Sequence, residues 1–242
     1  MTEKMAPNGL IQHRDLHEGN LCIRQIEDSK PRDESQPLLR FGYSGLDITI
    51  LDYGLSRAED PTTDEDAPVA YDLEKDLSLF TSTHADQCKV YRQMRSYLLR
   101  ADRKWLPISA HKTQYAQGHD GNPITWDAYI PYTNVLWLAY LYEYMTVNFV
   151  GAKQELNDFK RETKEMWTHL NPAAKPSILC FGSAGDVVRF AVEAGWVLEE
   201  QLVGDGSTFL AEREDSIIVS LDGEGDEGSL AKFRRSPRRR QV

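Results

Sequence analysis

Two short segments of this chain carry side chains suited to phosphate chemistry. His13-Arg14-Asp15-Leu16-His17-Glu18-Gly19-Asn20 sets a carboxylate at Asp15 and an amide at Asn20, five residues apart. The apolar run Leu21-Cys22-Ile23 follows. A second run, Ile48-Thr49-Ile50-Leu51, ends on Asp52-Tyr53-Gly54. Each polar group therefore lies just outside a segment with the pattern of a buried strand. Phosphoryl transfer with Mg²⁺ needs these parts: a carboxylate to accept or orient the attacking hydroxyl, and an amide and a second carboxylate to hold the metal. Taken singly, each segment reads as a solvated turn. Their order and spacing together make a specific signal.

The elements that must position these groups follow from the pattern of the chain. The two apolar runs pair as a small β-hairpin, with the polar, proline-containing stretch 27–45 as its exposed extension. Residues 55–76 read as a solvated loop centred on Pro61 to Asp66, and 71–82 as mixed, with Leu77, Leu79 and Phe80 available for packing. Gln87 to Arg100 has helical spacing in Val90, Met94 and Leu98. The stretch 101–133 is rich in loop formers. Asn134 to Val150 is apolar around most of a helix circumference and is expected to be largely buried. Ala152 to Leu170 is amphipathic, with Leu156, Phe159 and Trp167 facing inward, and Asn171-Pro172 ends it. Ser183 to Gly195 reads as a helix with Ser183 as N-cap and Gly195 as its stop. Residues 198–220 suggest a short hairpin, and the acidic, glycine-rich 222–228 is expected to be mobile. The expected fold is mainly α with a small β-hairpin.

The bulk properties narrow the class. With 242 residues and 40% hydrophobic content, the chain can bury a sizeable core. Net charge is −10, although the last eleven residues hold six basic side chains and no acid. The rest is thus strongly acidic, which favours basic partners and disfavours direct nucleic-acid contact. Cys22, Cys88 and Cys180 form no C-x-x-C pair and read as reduced, core or near-core thiols of an intracellular protein. Residues 1–9 lack the apolar core of a signal peptide. The best membrane candidate, 135–150, is too short and too polar to span. Ser236-Pro237 amid arginines suits a nuclear import patch, a phosphorylation site or a plain disordered tail.

Four segments together resemble one family. HRDLHEGN (13–20), ITILDYGLSR (48–57), VYRQMR (90–95) and PYTNVLWLAYL (131–141) look like the carboxy-terminal lobe of a haspin-type serine/threonine protein kinase. A weaker echo, Phe181 to Asp186, resembles that family's final helix. The likeness covers about residues 10–198. It implies a leader over 1–9, a kinase large (C-terminal) lobe over 10–198, and an extension over 199–242 with the acidic stretch and a basic disordered tail. Twelve residues before the loop leave no room for an N-terminal lobe. No glycine-rich phosphate loop, strand lysine or Walker motif occurs elsewhere, so that lobe is expected to be absent.

The resemblance further implies ATP and Mg²⁺ as cofactors, Asp15 as catalytic base, and Asn20 and Asp52 as metal ligands. His17 would stand near the γ-phosphate, where most protein kinases have lysine. The acceptor would be a basic protein such as a histone tail, and the setting the mitotic nucleus, with no membrane. Asp76 would help to hold the substrate, with Ser78 standing where the family has a second aspartate. Lys89 replaces a helix aspartate whose carboxylate accepts hydrogen bonds from the catalytic-loop backbone. A lysine has no acceptor, so buried N–H groups are expected to go unpaired at about 1–3 kcal/mol, unless Lys89 turns outward and water substitutes. Two other functions fit parts of the pattern. Asp15-Leu-His-Glu-Gly-Asn20 also resembles the loop of aminoglycoside-type phosphotransferases, and a pseudokinase-type binding module would use the acidic surface alone.

Overall fold

Strand β1 (Leu21–Gln25) pairs antiparallel with β2 (Leu46–Ile50), Leu21 facing Ile50 and Gln25 facing Leu46. The computed structural model describes residues 11–26, 28, 44–59 and 68–197. The fold is mostly helical with two small antiparallel sheets. The second sheet joins β3 (Arg57–Ala58) to β4 (Val69–Ala70), and Gln12 bridges to Arg57 beside it. The sequence reading of 55–76 as loop missed this pair. Two-residue strands carry too little periodicity to register in a pattern. The readings for 1–9, Pro61 to Asp66 and 198–242, with most of 27–45, lie outside the described residues.

The hairpin is a correction. Its strands are exposed, not buried. Period-two alternation puts Ile23, Ile48, Ile50 and Leu46 on one face, each of them exposed. Ile23 is 58% and Ile48 57% exposed. The opposite face carries Cys22 and the Arg24–Asp47 ion pair at 2.8 Å. Cys22 is accordingly an exposed thiol, contrary to expectation, while Cys88 is buried and Cys180 half-buried; all three are free.

Helices α1 (Ser78–Thr81), α2 (Cys88–Arg100) and α3 (Tyr132–Val147) hold the centre of the core. Trp137, Met94 and Phe80 are fully buried there, and Phe80 stacks on Trp126 at 5.9 Å. Helix α2 runs nearly as its spacing predicts and stops where Ala101 turns left-handed at φ 55. Helix α3 begins two residues before the expected Asn134 and ends three before Val150. Its end is set by Asn148, whose Nδ2 and backbone N–H both donate to the Tyr144 carbonyl. Burial fails in its last turn, where Met145 and Val147 are exposed. No helix among the described residues is long and apolar enough to cross a membrane.

The expected single helix over 152–170 is two, α4 (Lys153–Glu162) and α5 (Lys164–Leu170). Thr163 breaks it at φ −93, ψ 5, its hydroxyl shared between Tyr142 Oη and the Phe159 carbonyl at 2.8 Å each. Trp167 and Phe159 stack on Tyr142 from the two pieces, at 4.7 and 5.8 Å. Helix α6 (Ala184–Glu193) starts on a capping box: Ser183 Oγ accepts the Asp186 N–H, and Asp186 returns a bond to the Ser183 N–H at 2.9 Å. Gly195, at φ 70, supplies the left-handed stop.

Beneath α2 lies a closed ion pair. Arg95 meets both oxygens of Glu74 at 2.8 and 2.9 Å, and both side chains are fully buried. Arg95 also donates to the Thr113 carbonyl at 2.7 Å, and Glu74 accepts the Tyr115 N–H at 2.9 Å. His111 packs beside Arg95, and burial followed by the Arg95 charge holds its pKa below the ordinary 6.5.

Arg95→Met strands a buried carboxylate and should cost about 3–5 kcal/mol, read as a lower urea midpoint. His111 has a depressed folded pKa, so below pH 6.5 the unfolded chain binds its proton first. Stability should therefore fall as pH drops through that window, and His111→Gln should flatten the slope in urea titrations at a series of pH values.

Candidate active site

The loop 13–20 is built around a buried cation. Arg14 takes a left-handed φ of 64° and is 1% exposed. Its guanidinium lies 5.4 Å over the Trp126 ring, donates to Gln12 Oε1 at 3.0 Å, and makes a close bond to the Trp126 carbonyl. Burial, and then the neighbouring Arg57 charge, lower its pKa to about 10, so it stays a cation at neutral pH. A Cβ at Gly19 would meet the His17 ring at 2.8 Å, so a larger residue there would displace that ring.

The same loop is bonded to the 52–54 turn through one residue. The Leu51 carbonyl accepts from His13 Nε2 at 2.8 Å, and the Leu51 N–H donates to the Asn20 carbonyl at 2.8 Å. His13 Nδ1 accepts the Asp15 N–H at 3.3 Å, which fixes the tautomer with its proton on Nε2. Ser56 Oγ adds a bond to the His13 carbonyl at 3.0 Å, and Tyr53 tilts against the His13 ring at 4.9 Å. Asp52 sits at φ 55, a left-handed position that Asp tolerates better than most residues, and its Oδ1 accepts the Gly54 N–H at 3.1 Å.

Helices α2 and α3 brace the loop from below. Asn134 accepts the His13 N–H at 3.2 Å and donates to the Ile11 carbonyl at 3.0 Å. Tyr140, six residues on, donates to Glu18 Oε2 at 2.7 Å. Trp137 between them meets Tyr91 edge-on at 5.4 Å, and Tyr91 Oη donates to Asp15 Oδ1 in a short bond. Lys89 does turn outward, 59% exposed and paired with Asp86 at 2.8 Å. Asn134 supplies an acceptor for the loop instead, so the His13 N–H does not go unpaired.

Around Asp15, Asn20 Nδ2 donates to its carbonyl at 2.8 Å and to Oδ2 at 3.3 Å. His17 Nε2 stands 3.7 Å from Oδ1, while its Nδ1 accepts the Gly19 N–H. Burial raises the Asp15 pKa above its ordinary value; the Tyr91 bond, His17 and His13 oppose that rise, and Asp52 adds to it.

With its amide nitrogen spent on Asp15, Asn20 has Oδ1 without a protein partner among the described residues, as has Asp52 at Oδ2. Two hard oxygens on segments joined by a 2.8 Å backbone bond fit Mg²⁺, which takes one or two protein ligands and fills its octahedron with water and phosphate. No cluster of three His, Cys, Asp or Glu side chains that would enclose a metal exists among the described residues. Asp76 is exposed, and its Oδ1 accepts the Ser78 N–H at 2.9 Å at the start of α1. Asn134, Tyr140 and Tyr91 escaped the reading of residues. For Asn134 and Tyr140 the signal was a pair of polar groups, each three residues from Trp137, on a mostly apolar helix, whereas Tyr91 on α2 gave none.

A family model described as "Haspin like kinase domain" matches residues 11–183. The serine/threonine-protein kinase haspin of Bos taurus is 28% identical over 182 residues, covering 70% of this chain and 19% of that protein. The Mus musculus protein of the same name is 28% identical over 186 residues, covering 74% and 20%. The chain thus spans about a fifth of the length of these curated relatives. The match takes in the 13–20 loop, the 52–54 turn and the helices that brace them, and by it the chain belongs to the haspin-like kinase domain family.

Proposed function

We propose that this chain carries the catalytic loop and metal turn of an ATP- and Mg²⁺-dependent serine/threonine protein kinase of haspin type. The observation that carries the reading is the pair of bonds through which Leu51 ties His13 and Asn20 to the Asp52 turn. Bound Mg–ATP would supply the phosphoryl group and neutralise its charge. Asn20 Oδ1 and Asp52 would hold the metal. Asp15 would orient the acceptor hydroxyl and take its proton, a task that a carboxylate with a raised pKa suits. His17 would face the phosphate end of the nucleotide.

The acceptor is a basic protein segment of histone-tail type, and the place of action the nucleus. Supporting this are the net charge of −10 and the half-buried or exposed acids Asp15, Glu18, Asp52 and Asp76. Asp76 keeps Oδ2 for a basic side chain, since Ser78 occupies only Oδ1.

ATP binding to this chain should require Mg²⁺, and Asp52→Ala should abolish the Mg²⁺-dependent part in calorimetry. Binding that ignores Asp52 or Mg²⁺ would sink the reading. Asp15→Asn should keep nucleotide binding and lower transfer to a basic serine/threonine peptide by roughly 10²–10⁴-fold. Transfer to a kanamycin-type aminoglycoside and not to the peptide would move the chain to small-molecule phosphotransferases. Peptide binding without nucleotide binding would mark a non-catalytic module.

A further inference from the structure

One side chain touches the candidate base from outside the loop and has no role in the reading above. Tyr91 lies in the first half of α2, 76 residues from Asp15 along the chain, and is 3% exposed. Its ring is held by Trp137, edge-on at 5.4 Å with an interplanar angle of 80°. A phenol has a single O–H to donate, and here it goes to Asp15 Oδ1.

We propose that Tyr91 is a positioning residue: its O–H pins Asp15 Oδ1 to the helical core, leaving Oδ2 as the edge turned to the acceptor hydroxyl. This rests on Asp15 being the base of the proposed kinase. Two features of the surroundings support it. Among the described residues, the other groups that bond to the Asp15 carboxylate or act on it by charge are Asn20, His17, His13 and Asp52. Asn20 Nδ2 reaches Oδ2 at only 3.3 Å, and His17 Nε2 is 3.7 Å from Oδ1, so the hold on Oδ1 within hydrogen-bond reach comes from Tyr91. Tyr91 also stays a donor. Burial, and then the bond to Asp15, push its pKa up, so the phenol keeps its proton and does not compete as a base.

A donor to a carboxylate favours the charged form, so removing it must raise the Asp15 pKa. The test is a ¹³C NMR titration of the full chain labelled at aspartate carboxyls, with Asp15→Asn to assign the signal. Tyr91→Phe keeps the ring against Trp137 and deletes only the hydroxyl. It should move the Asp15 midpoint up by roughly half to one pH unit. Installing 3-fluorotyrosine at position 91, a stronger donor of nearly the same shape, should move the midpoint down, and it gives the readout even where Tyr91→Phe does not fold. The acid limb of the kcat profile should shift in the same directions, with KM for ATP unchanged.

An Asp15 midpoint that ignores residue 91 would overturn the proposal, even with a lowered melting temperature, since that pattern marks a merely structural tyrosine. The titration needs no nucleotide. A chain whose Asp15 follows residue 91 but which binds no Mg–ATP would retain the bond while the kinase reading falls.

Discussion

A single residue's backbone holds this site together. Leu51 gives its carbonyl to His13 and its N–H to Asn20, so two successive peptide planes meeting at one Cα tie the turn to both ends of the loop. The strand pairing of β1 with β2 brings Leu51 to that place, since Leu21 faces Ile50. Asp15, Asn20 and Asp52 are then close because the backbone leaves them little else. Burial of the Asp15 carboxylate opposes this arrangement and raises its pKa, and the Asp52 charge adds to that rise.

The second constraint comes from α3. A helix apolar around its circumference is expected to be a core helix and nothing more. Here Asn134, Trp137 and Tyr140 lie three residues apart in succession and turn one stripe of that helix toward the loop. Asn134 both accepts from and donates to the backbone around His13, so one amide closes two otherwise open backbone groups. On α2, Lys89 extends into water beside Asp86. The buried Arg14 is stabilised in the same spirit, by carbonyl and amide oxygens and an aromatic face, with the Asp127 charge favouring the cation.

The hairpin shows what local pairing does without a covering layer. Its aliphatic side chains alternate onto one face as a buried strand requires, yet that face is open among the described residues. Ile23, Ile48, Ile50 and Leu46 form a contiguous apolar strip of the kind that marks contact surfaces in soluble proteins. The helical body is different, with Trp137, Met94 and Phe80 sealed and Glu74 paired to Arg95 in the interior. Stability therefore resides in the helices, while the hairpin serves to carry the site.

Much of this was legible from residue order. The periods of α2, α3 and α6, the Ser183 cap and the Gly195 stop follow from local rules that act within a few residues, and the apolar runs 21–23 and 48–51 foretold a hairpin. Asp15 and Asn20 stand five residues apart in one segment and Asp52 opens another, and short motifs of that kind single out side chains without showing what they do. Burial of the hairpin was misread, because alternation states which face is apolar and is silent on what covers it. The break at Thr163 was hidden for a like reason, since it depends on a hydroxyl bond to Tyr142, 21 residues away. Tyr91 meets Asp15 across 76 residues, and Asn134 meets His13 across 121. Partnerships at that separation are chosen by how helices pack, and packing is a property of the folded volume that no local pattern encodes.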